Sequence, residues 1–180
     1  MKYIALLRGI NVGGKNRVPM KEVQKCFLDA EFTGVQTYIN SGNVLFEAKK
    51  ESDEKTLQED CQTMIQTSFG FPIAVAVISV QTLSQALRQV PEWWGKDPQE
   101  KHNALFTILP VTADEIMSEI GEVNSEVEKV YCFENIIFWS SSIRHYSKTK
   151  FSKIVGTKSY QKVTIRNANT TKKLCLLGTQ

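Results

Sequence analysis

The chain is 180 residues long, 42% hydrophobic and 23% charged, which is ordinary for a globular protein and argues against disorder. Its net charge is +3, and its four cysteines stand apart without a CxxC pair, which argues against a zinc site and a disulfide framework. The first apolar run covers only residues 3–7, too short for a signal peptide or a membrane span, so a reducing cytoplasmic location is expected.

The first eighty residues predict the order β-α-β-β-α-β. A buried strand at residues 3–7 leads into a glycine-rich loop, and Pro19 then suits the first position of an amphipathic helix. Two apolar runs flank Asn40-Ser41-Gly42-Asn43, whose residue types tolerate positive φ, so a β-hairpin is predicted. Ser52 is positioned to cap a second helix, and the apolar run 73–78 predicts a fourth strand.

The same order of elements returns in the second half of the chain. A helix at about 82–90 and a loop rich in proline, glycine and tryptophan separate the two halves. Thr112 and Glu115 have the spacing of a capping box, which predicts the start of a helix. The other predicted elements are strands at 104–109, 127–133, 136–139 and 163–166, and helices at 151–155 and about 170–177.

Two βαββαβ halves are most simply two ferredoxin-like units, each an antiparallel sheet with helices on one face. The expected division is a subdomain at 1–80, a helix and linker at 81–100, and a second subdomain with an extra C-terminal helix at 101–180. Several strands are apolar on both faces, whereas a sheet with one wet face should alternate. The two subdomains are therefore expected to pack together and cover each other's sheets.

Three segments carry a resemblance to a known family. The residues at 6–14, Leu-Leu-Arg-Gly-Ile-Asn-Val-Gly-Gly, together with those at 18–20 and 38–44, closely resemble the bacterial family DUF1697, a domain of unknown function. The similarity continues through Ser147-Lys148 and the segment 164–167. Membership implies a pair of ferredoxin-like units and no established activity or cofactor. The family usually has an aromatic residue after the Arg-Asn pair, where this chain has Ala168.

The glycine loop, residues 9–16, matches the phosphate-binding P-loop motif at all but its last position, and like that motif it follows a strand. Asn16 stands where that motif needs a Ser or Thr for magnesium, and Pro19 delays the helix. Nucleotide hydrolysis of the P-loop kind is therefore not expected.

A looser anion site is predicted at the same edge of the sheet, because the first and third strands of a split βαβ unit are neighbours. The glycine loop should then lie beside the polar turn, residues 40–43. Exposed glycine amides and asparagine side chains can hold an anion, although the same residues also serve ordinary tight turns. The candidate ligand-binding residues are Arg8, Gly9, Asn11, Gly13, Gly14, Lys15, Asn40, Ser41, Gly42 and Asn43, with Arg17 as a further source of charge.

The charges are unevenly distributed along the chain. Residues 1–21 carry five bases and no acid, residues 81–140 carry ten acids against four bases, and residues 141–180 carry nine bases and no acid. A second basic site is predicted at Lys148, Arg166 and Asn167, where nucleic acid phosphates would bind at loops and edges. The alternative is a solvated lysine-rich face.

No catalytic residue is identified, since the chain lacks GxSxG and HExxH motifs and has only two histidines, His102 and His145. No metal site or cofactor is predicted. The leading hypothesis is a protein that binds a phosphate-bearing ligand, either a nucleotide-like metabolite or single-stranded nucleic acid. An enzyme acting on a small anionic substrate at the same edge and a structural or protein-partner module remain the alternatives. No membrane partner is expected, and the sequence leaves the oligomeric state open.

Overall fold

The computed structural model describes residues 1–13, 17–48 and 52–180. By its internal contacts the chain divides into two compact units, one formed by Met1–Ser84 with Leu174–Gln180 and the other by Gln85–Lys173. This division differs from the expected boundaries, because the end of the final helix is counted with the first unit. The reason is local packing: a Cβ atom added at Gly178 would lie 2.5 Å from Val80 Cγ2.

The first unit follows the predicted order of elements. In chain order they are β1 (Lys2–Leu7), α1 (Met20–Asp29), β2 (Thr33–Tyr38), β3 (Asn43–Glu47), α2 (Glu54–Phe69), β4 (Val75–Ser79) and the start of α3 (Val80–Gln89). The strands lie in the order β2-β3-β1-β4, and each neighbouring pair is antiparallel. The end of β1 therefore lies beside the start of β3, with Leu6 opposite Asn43.

Helices α1 and α2 pack on one face of this sheet. Phe27 of α1, Ile65 of α2 and Phe46 of β3 belong to one buried cluster, in which the rings of Phe27 and Phe46 meet edge to face at 5.2 Å. Ile4 and Leu6, whose side chains point to the opposite face of β1, are also buried. Strand β1 is thus buried on both faces, as its unbroken apolar run predicts.

The second unit repeats the same sheet plan. Its elements are the rest of α3, β5 (Glu100–Thr107), α4 (Ala113–Ile120), β6 (Glu128–Phe133), β7 (Ile136–Ser142), a 3₁₀ turn (Tyr146–Lys148), a second 3₁₀ turn (Phe151–Gly156), α5 (Lys158–Gln161), β8 (Val163–Asn167) and α6 (Ala168–Thr179). The strand order is β6-β7-β5-β8, again antiparallel throughout. The protein is therefore α+β, with two four-stranded antiparallel sheets and helices.

The helix starts correct two details of the sequence analysis. Pro19 occupies the N-cap of α1 rather than its first helical position, and its side chain makes no capping hydrogen bond. The cap of α2 is Asp53, not Ser52, because the helix begins one residue later than expected and the Asp53 carboxylate accepts from the Thr56 amide at 2.9 Å. Hydrogen bonds from Thr56 lower the pKa of this carboxyl group.

In the second unit, the capping box of α4 is confirmed. Thr112 accepts from the Glu115 amide, and the Glu115 side chain accepts from the Thr112 amide at 2.7 Å. The helix predicted at 151–155 is instead a 3₁₀ turn, in which the Lys153 amide donates to the Lys150 carbonyl. Strand β7 continues to Ser142, past the end predicted from its apolar run.

A buried carboxylate links several segments of the second unit through hydrogen bonds. Glu128 is 1% exposed, and its two oxygens accept from Trp139 Nε1 at 3.0 Å and from the Lys150 and Phe151 amides at 2.9 and 3.3 Å. The Asn124 amide is a fourth donor at 3.3 Å. Strand β6, strand β7 and the second 3₁₀ turn are thereby tied to one side chain, whose charge is balanced by several hydrogen bonds.

No helix in the described part of the chain combines the length and the apolar character that a membrane crossing requires.

Candidate functional site

The glycine loop and the polar turn meet at the end of β1, as predicted. The Leu7 amide donates to the Gly42 carbonyl at 2.8 Å, and Asn11 Nδ2 donates to the Asn40 carbonyl at 2.9 Å. The glycine loop and the polar turn are thus joined by backbone as well as side-chain hydrogen bonds.

Asn11 holds the loop in place with both ends of its amide. Its Nδ2 also donates to the Val18 carbonyl at 2.9 Å, and its Oδ1 accepts from the Val18 amide at 2.8 Å. The residue has a φ of 55°, a conformation that asparagine adopts more readily than most residues. Asn11 therefore closes the loop onto the segment before α1, and its polar atoms are used within the protein.

Gly42 and Asn43 also serve the turn itself. Gly42 has a φ of 84°, and an added Cβ would lie 2.8 Å from Leu7 Cβ and from Ile10 Cδ1, so only glycine fits there without movement. Asn43 is fully buried, and its Nδ2 donates to the Tyr38 carbonyl at 2.9 Å and to Ser41 Oγ at 3.1 Å. These candidate residues build the edge and do not face solvent.

Two glycines of the loop are exposed. Gly9 and Gly13 have φ values of 67° and 60°, and nothing lies within 4 Å of a Cβ atom added at either position. Their backbone is open to a ligand, as an anion-binding nest requires. Gly14 and Lys15, the other candidates in this loop, lie outside the described residues.

A cleft of about 360 Å³ opens beside the joined turns. Its lining residues are Asn11, Arg17, Val18, Pro19, Met20 and Asn40. Arg17 was expected only as a further source of charge, and neither Pro19 nor Met20 was among the candidate binding residues. Arg8 is half-buried and does not line this cleft, and its amide donates to the Ala74 carbonyl at 2.9 Å.

Two features give this Arg17 cleft a positive character. Arg17 is exposed, and within the described parts of the chain its guanidinium has no hydrogen bond or ion pair. Pro19 and Met20 are the N-cap and the first residue of α1, so the uncapped N-terminus of that helix also lines the cleft. Because the first amides of a helix lack acceptors within it, this end attracts negative charge.

The three residues of the second predicted basic site differ in burial and in their contacts. Arg166 is 7% exposed, its Nη1 donates to Thr164 Oγ1 and to the Ile165 carbonyl, and desolvation lowers its pKa to about 10. Asn167 Oδ1 accepts from the Thr170 amide at 2.8 Å, at the start of α6. Lys148 is exposed in the first 3₁₀ turn. Arg166 and Asn167 therefore have structural contacts, whereas Lys148 faces solvent.

Ala168, where an aromatic residue is usual after the Arg-Asn pair, begins α6 and is buried. A Cβ atom added at Gly95 would lie 3.4 Å from its Cβ. The small side chain thus stands where the backbone of Gly95 comes close.

His102 and Ser140 make a contact for which the sequence carries no local signal. His102 Nδ1 lies 2.5 Å from Ser140 Oγ, and Nε2 lies 2.8 Å from the Asp97 carbonyl. Ser140 is fully buried, so its hydroxyl cannot reach a substrate. Among the described residues, no three His, Cys, Asp or Glu side chains form a group able to hold a metal ion.

Fold and site together define an α+β protein of two four-stranded antiparallel units with a polar cleft beside a glycine loop. The family model described as "Protein of unknown function (DUF1697)" matches residues 1–138. The chain belongs to this family.

A solved structure is similar over nearly the whole length. It is that of the conserved bacterial protein SP0830 from Streptococcus pneumoniae, with 31% sequence identity, a TM-score of 0.85, and coverage of 98% of this chain and 97% of that one. No curated protein matches the sequence.

Proposed function

We propose that this protein binds a small phosphate-bearing ligand, such as a nucleotide-like metabolite, in the Arg17 cleft. The observation that carries the proposal is that an exposed arginine and the uncapped N-terminus of a ten-residue helix line the same cleft. A guanidinium group can bind a phosphate through two parallel hydrogen bonds, and a helix N-terminus adds backbone amides and a favourable dipole.

The shape of the cleft supports a small ligand over a nucleic acid strand. A volume of about 360 Å³ lies in the lower part of the range found for small-molecule sites. Pro19 and Met20 add apolar surface next to the polar groups, which suits a ligand with a phosphate at one end and an apolar or planar body at the other. The joined turns provide a preformed wall, because Asn11 ties residues 18 and 40 together.

Each unit is, in this proposal, a ferredoxin-like unit. The support comes from the βαββαβ order in both units, the strand orders β2-β3-β1-β4 and β6-β7-β5-β8, and the two helices on one face of the first sheet. The proposed location is the cytoplasm. Free thiols at Cys26 and Cys61, both buried in the core of the first unit, fit a reducing compartment.

The experiment is ligand titration followed by thermal unfolding, at constant ionic strength, with inorganic phosphate, pyrophosphate and nucleoside mono-, di- and triphosphates. A ligand at one hundred times its dissociation constant should stabilise the protein by about 2.7 kcal/mol, which raises the melting temperature by about 5 °C or more. Arg17→Ala should weaken binding by about tenfold to a hundredfold, since it removes a charge-assisted hydrogen bond.

Two matched variants make the result specific. Arg144→Ala removes an exposed arginine from the second unit and should leave the affinity unchanged. Arg8→Ala tests the neighbouring position: loss of binding there but not in Arg17→Ala would move the ligand out of the cleft. No stabilisation by any of these phosphates would refute the proposed function.

A further inference from the structure

Seven of the nine bases of residues 141–180 fall into two groups with different surroundings; Arg144 and Lys173 are exposed and belong to neither group. One group is engaged within the protein. Lys162 forms an ion pair with Glu119, Lys150 Nζ donates to the Ile120 carbonyl at 3.3 Å, and Lys172 Nζ donates to the Gly95 carbonyl at 3.3 Å. Arg166 is buried, as described above. The charges of Lys162 and Arg166 are thus paired or buried, whereas the ammonium groups of Lys150 and Lys172 are oriented by neutral carbonyls and remain exposed.

The other group is exposed and forms what we call the lysine row, Lys148, Lys153 and Lys158. All three lie on the surface of the 3₁₀ turns and the start of α5. In the described residues, the ammonium groups of Lys148 and Lys153 have neither an ion pair nor a hydrogen bond. Lys158 has a longer-range attraction to Glu119, a carboxylate that already pairs with Lys162.

No acid interrupts this stretch of sequence. Residues 135–180 contain no Asp or Glu, so the positive charge of the lysine row has no compensating charge nearby along the chain. Ten of the nineteen acids lie at residues 81–140 and the other nine before residue 61, and the carboxylate of Glu128 is buried. The row thus keeps its positive potential at the surface.

The spacing of the row suits a repeating polyanion. The three lysines lie five positions apart on consecutive short elements, so each ammonium group is available to a different phosphate of a chain. Ser147, exposed next to Lys148, adds a hydroxyl of the kind that contacts phosphate oxygens.

The apolar surface here is too small for membrane binding. Val155 is 64% exposed between Lys153 and Lys158, but its neighbour Ile154 is buried, so no amphipathic face is available to enter a lipid layer. A nucleic acid backbone needs only the positive charges and the hydroxyl.

From these observations we infer that the lysine row is a binding surface for the phosphate backbone of nucleic acid. Binding is independent of sequence, because no base-reading side chain is part of the row. It is separate from the Arg17 cleft, which lies in the first unit.

The test is fluorescence anisotropy with labelled oligonucleotides of about 16 nucleotides, single-stranded RNA, single-stranded DNA and duplex DNA, between about 50 and 200 mM salt. The triple variant Lys148→Gln, Lys153→Gln, Lys158→Gln should lose most of the affinity. It should also reduce the slope of log affinity against log salt by about 2 for single strands, which corresponds to three lost phosphate contacts.

The matched control is Lys55→Gln, Arg88→Gln, Lys96→Gln, which removes the same charge from exposed positions elsewhere. It should keep the affinity and the salt slope. Equal weakening in both triple variants would overturn the inference, since net charge alone would then explain binding. Absence of binding to every oligonucleotide, or binding only to vesicles rich in anionic lipid, would also overturn it. Arg17→Ala should leave oligonucleotide binding unchanged, which separates this inference from the proposed function of the cleft.

Discussion

The connection from the first strand to the first helix is built differently in the two units. In the first unit, twelve residues separate β1 from α1, and the N-cap residue Pro19 gives the helix no side-chain cap. In the second unit, five residues separate β5 from α4, and Thr112 and Glu115 form a complete capping box. The same position in the sheet plan is thus internally satisfied in one unit and left open beside a cleft in the other.

This difference shows which of the two helix N-termini is available to bind a ligand. A capped helix has used its terminal amides, whereas an uncapped one still needs acceptors from water or from a bound anion. The asparagine and glycine residues of the first unit hold the longer loop in shape, which keeps the open end accessible.

The largest expected effect concerns the turn that supports the open end. Gly42→Ala should lower the free energy of unfolding by about 3 kcal/mol, because the new Cβ adds both backbone strain and a clash with Leu7 and Ile10. Gly70→Ala, at the C-cap of α2, should cost only about 1 kcal/mol, since its φ of 78° and ψ of 5° lie in the left-handed region and no atom lies within 4 Å of the new Cβ. Urea unfolding measures both. Equal costs would mean that close packing at Gly42 is unimportant.

Exchanging the capping states of the two helices should have an effect of about 1 kcal/mol on stability. Pro19→Asp gives α1 a side-chain cap, because the backbone at position 19 is already extended with φ −62° and ψ 126°, and should stabilise the protein by up to about 1 kcal/mol. The new carboxylate should also abolish phosphate binding in the cleft. Thr112→Ala removes the existing cap of α4 and should destabilise by about 1 kcal/mol without changing ligand affinity.

Urea unfolding measures the stability of these two variants, and phosphate titration measures their affinity for the ligand. If Pro19→Asp bound phosphate as well as the native protein does, the N-terminus of α1 would have no part in the site.

The smallest expected effect concerns the pH dependence of a helix in the first unit that does have a side-chain cap. Helix α2 of the same unit is capped by Asp53, whose pKa is lowered by hydrogen bonds from Thr56. A carboxyl group with a lowered pKa in the folded state contributes stability above its unfolded pKa of about 3.9, and that contribution is lost as the pH falls through the folded value.

Asp53→Asn should therefore reduce the loss of stability on acidification below about pH 4, while stability at neutral pH changes only slightly. Thermal unfolding between neutral and acidic pH measures this. If the variant and the native protein lost the same stability on acidification, the Asp53 cap would not contribute to the pH dependence.

Much of the fold could be predicted from periodicity and turn residues. The apolar run of β1, the Asn-Ser-Gly-Asn turn and the capping box at Thr112 each have a local signal, and all three are present in the structure. Strand β7 extends further than predicted because Ser140 and Ser141 are polar yet buried, and burial of polar strand residues depends on tertiary packing.

The site was predicted less completely for a physical reason. The sequence indicated that the glycine loop and the polar turn would meet, and hydrogen bonds from Leu7 and Asn11 confirm it. It could not show that Asn11 and Asn43 use their amides within the protein, nor that Arg166 is buried. The two amides bond to residues only five and seven positions away, but that pairing depends on the final path of the loop and the turn, and the burial of Arg166 depends on tertiary packing.

The final helix has a consequence for the order in which the protein is made. Helix α6 runs from Ala168 to Thr179. Its residues 168–173 belong to the second unit, whereas Leu174–Gln180 belong to the first. A ribosome synthesises the chain from residue 1 onward, so the first unit lacks one of its segments until the whole second unit has been translated. The earlier unit therefore cannot reach its complete set of contacts during synthesis before the later one has emerged.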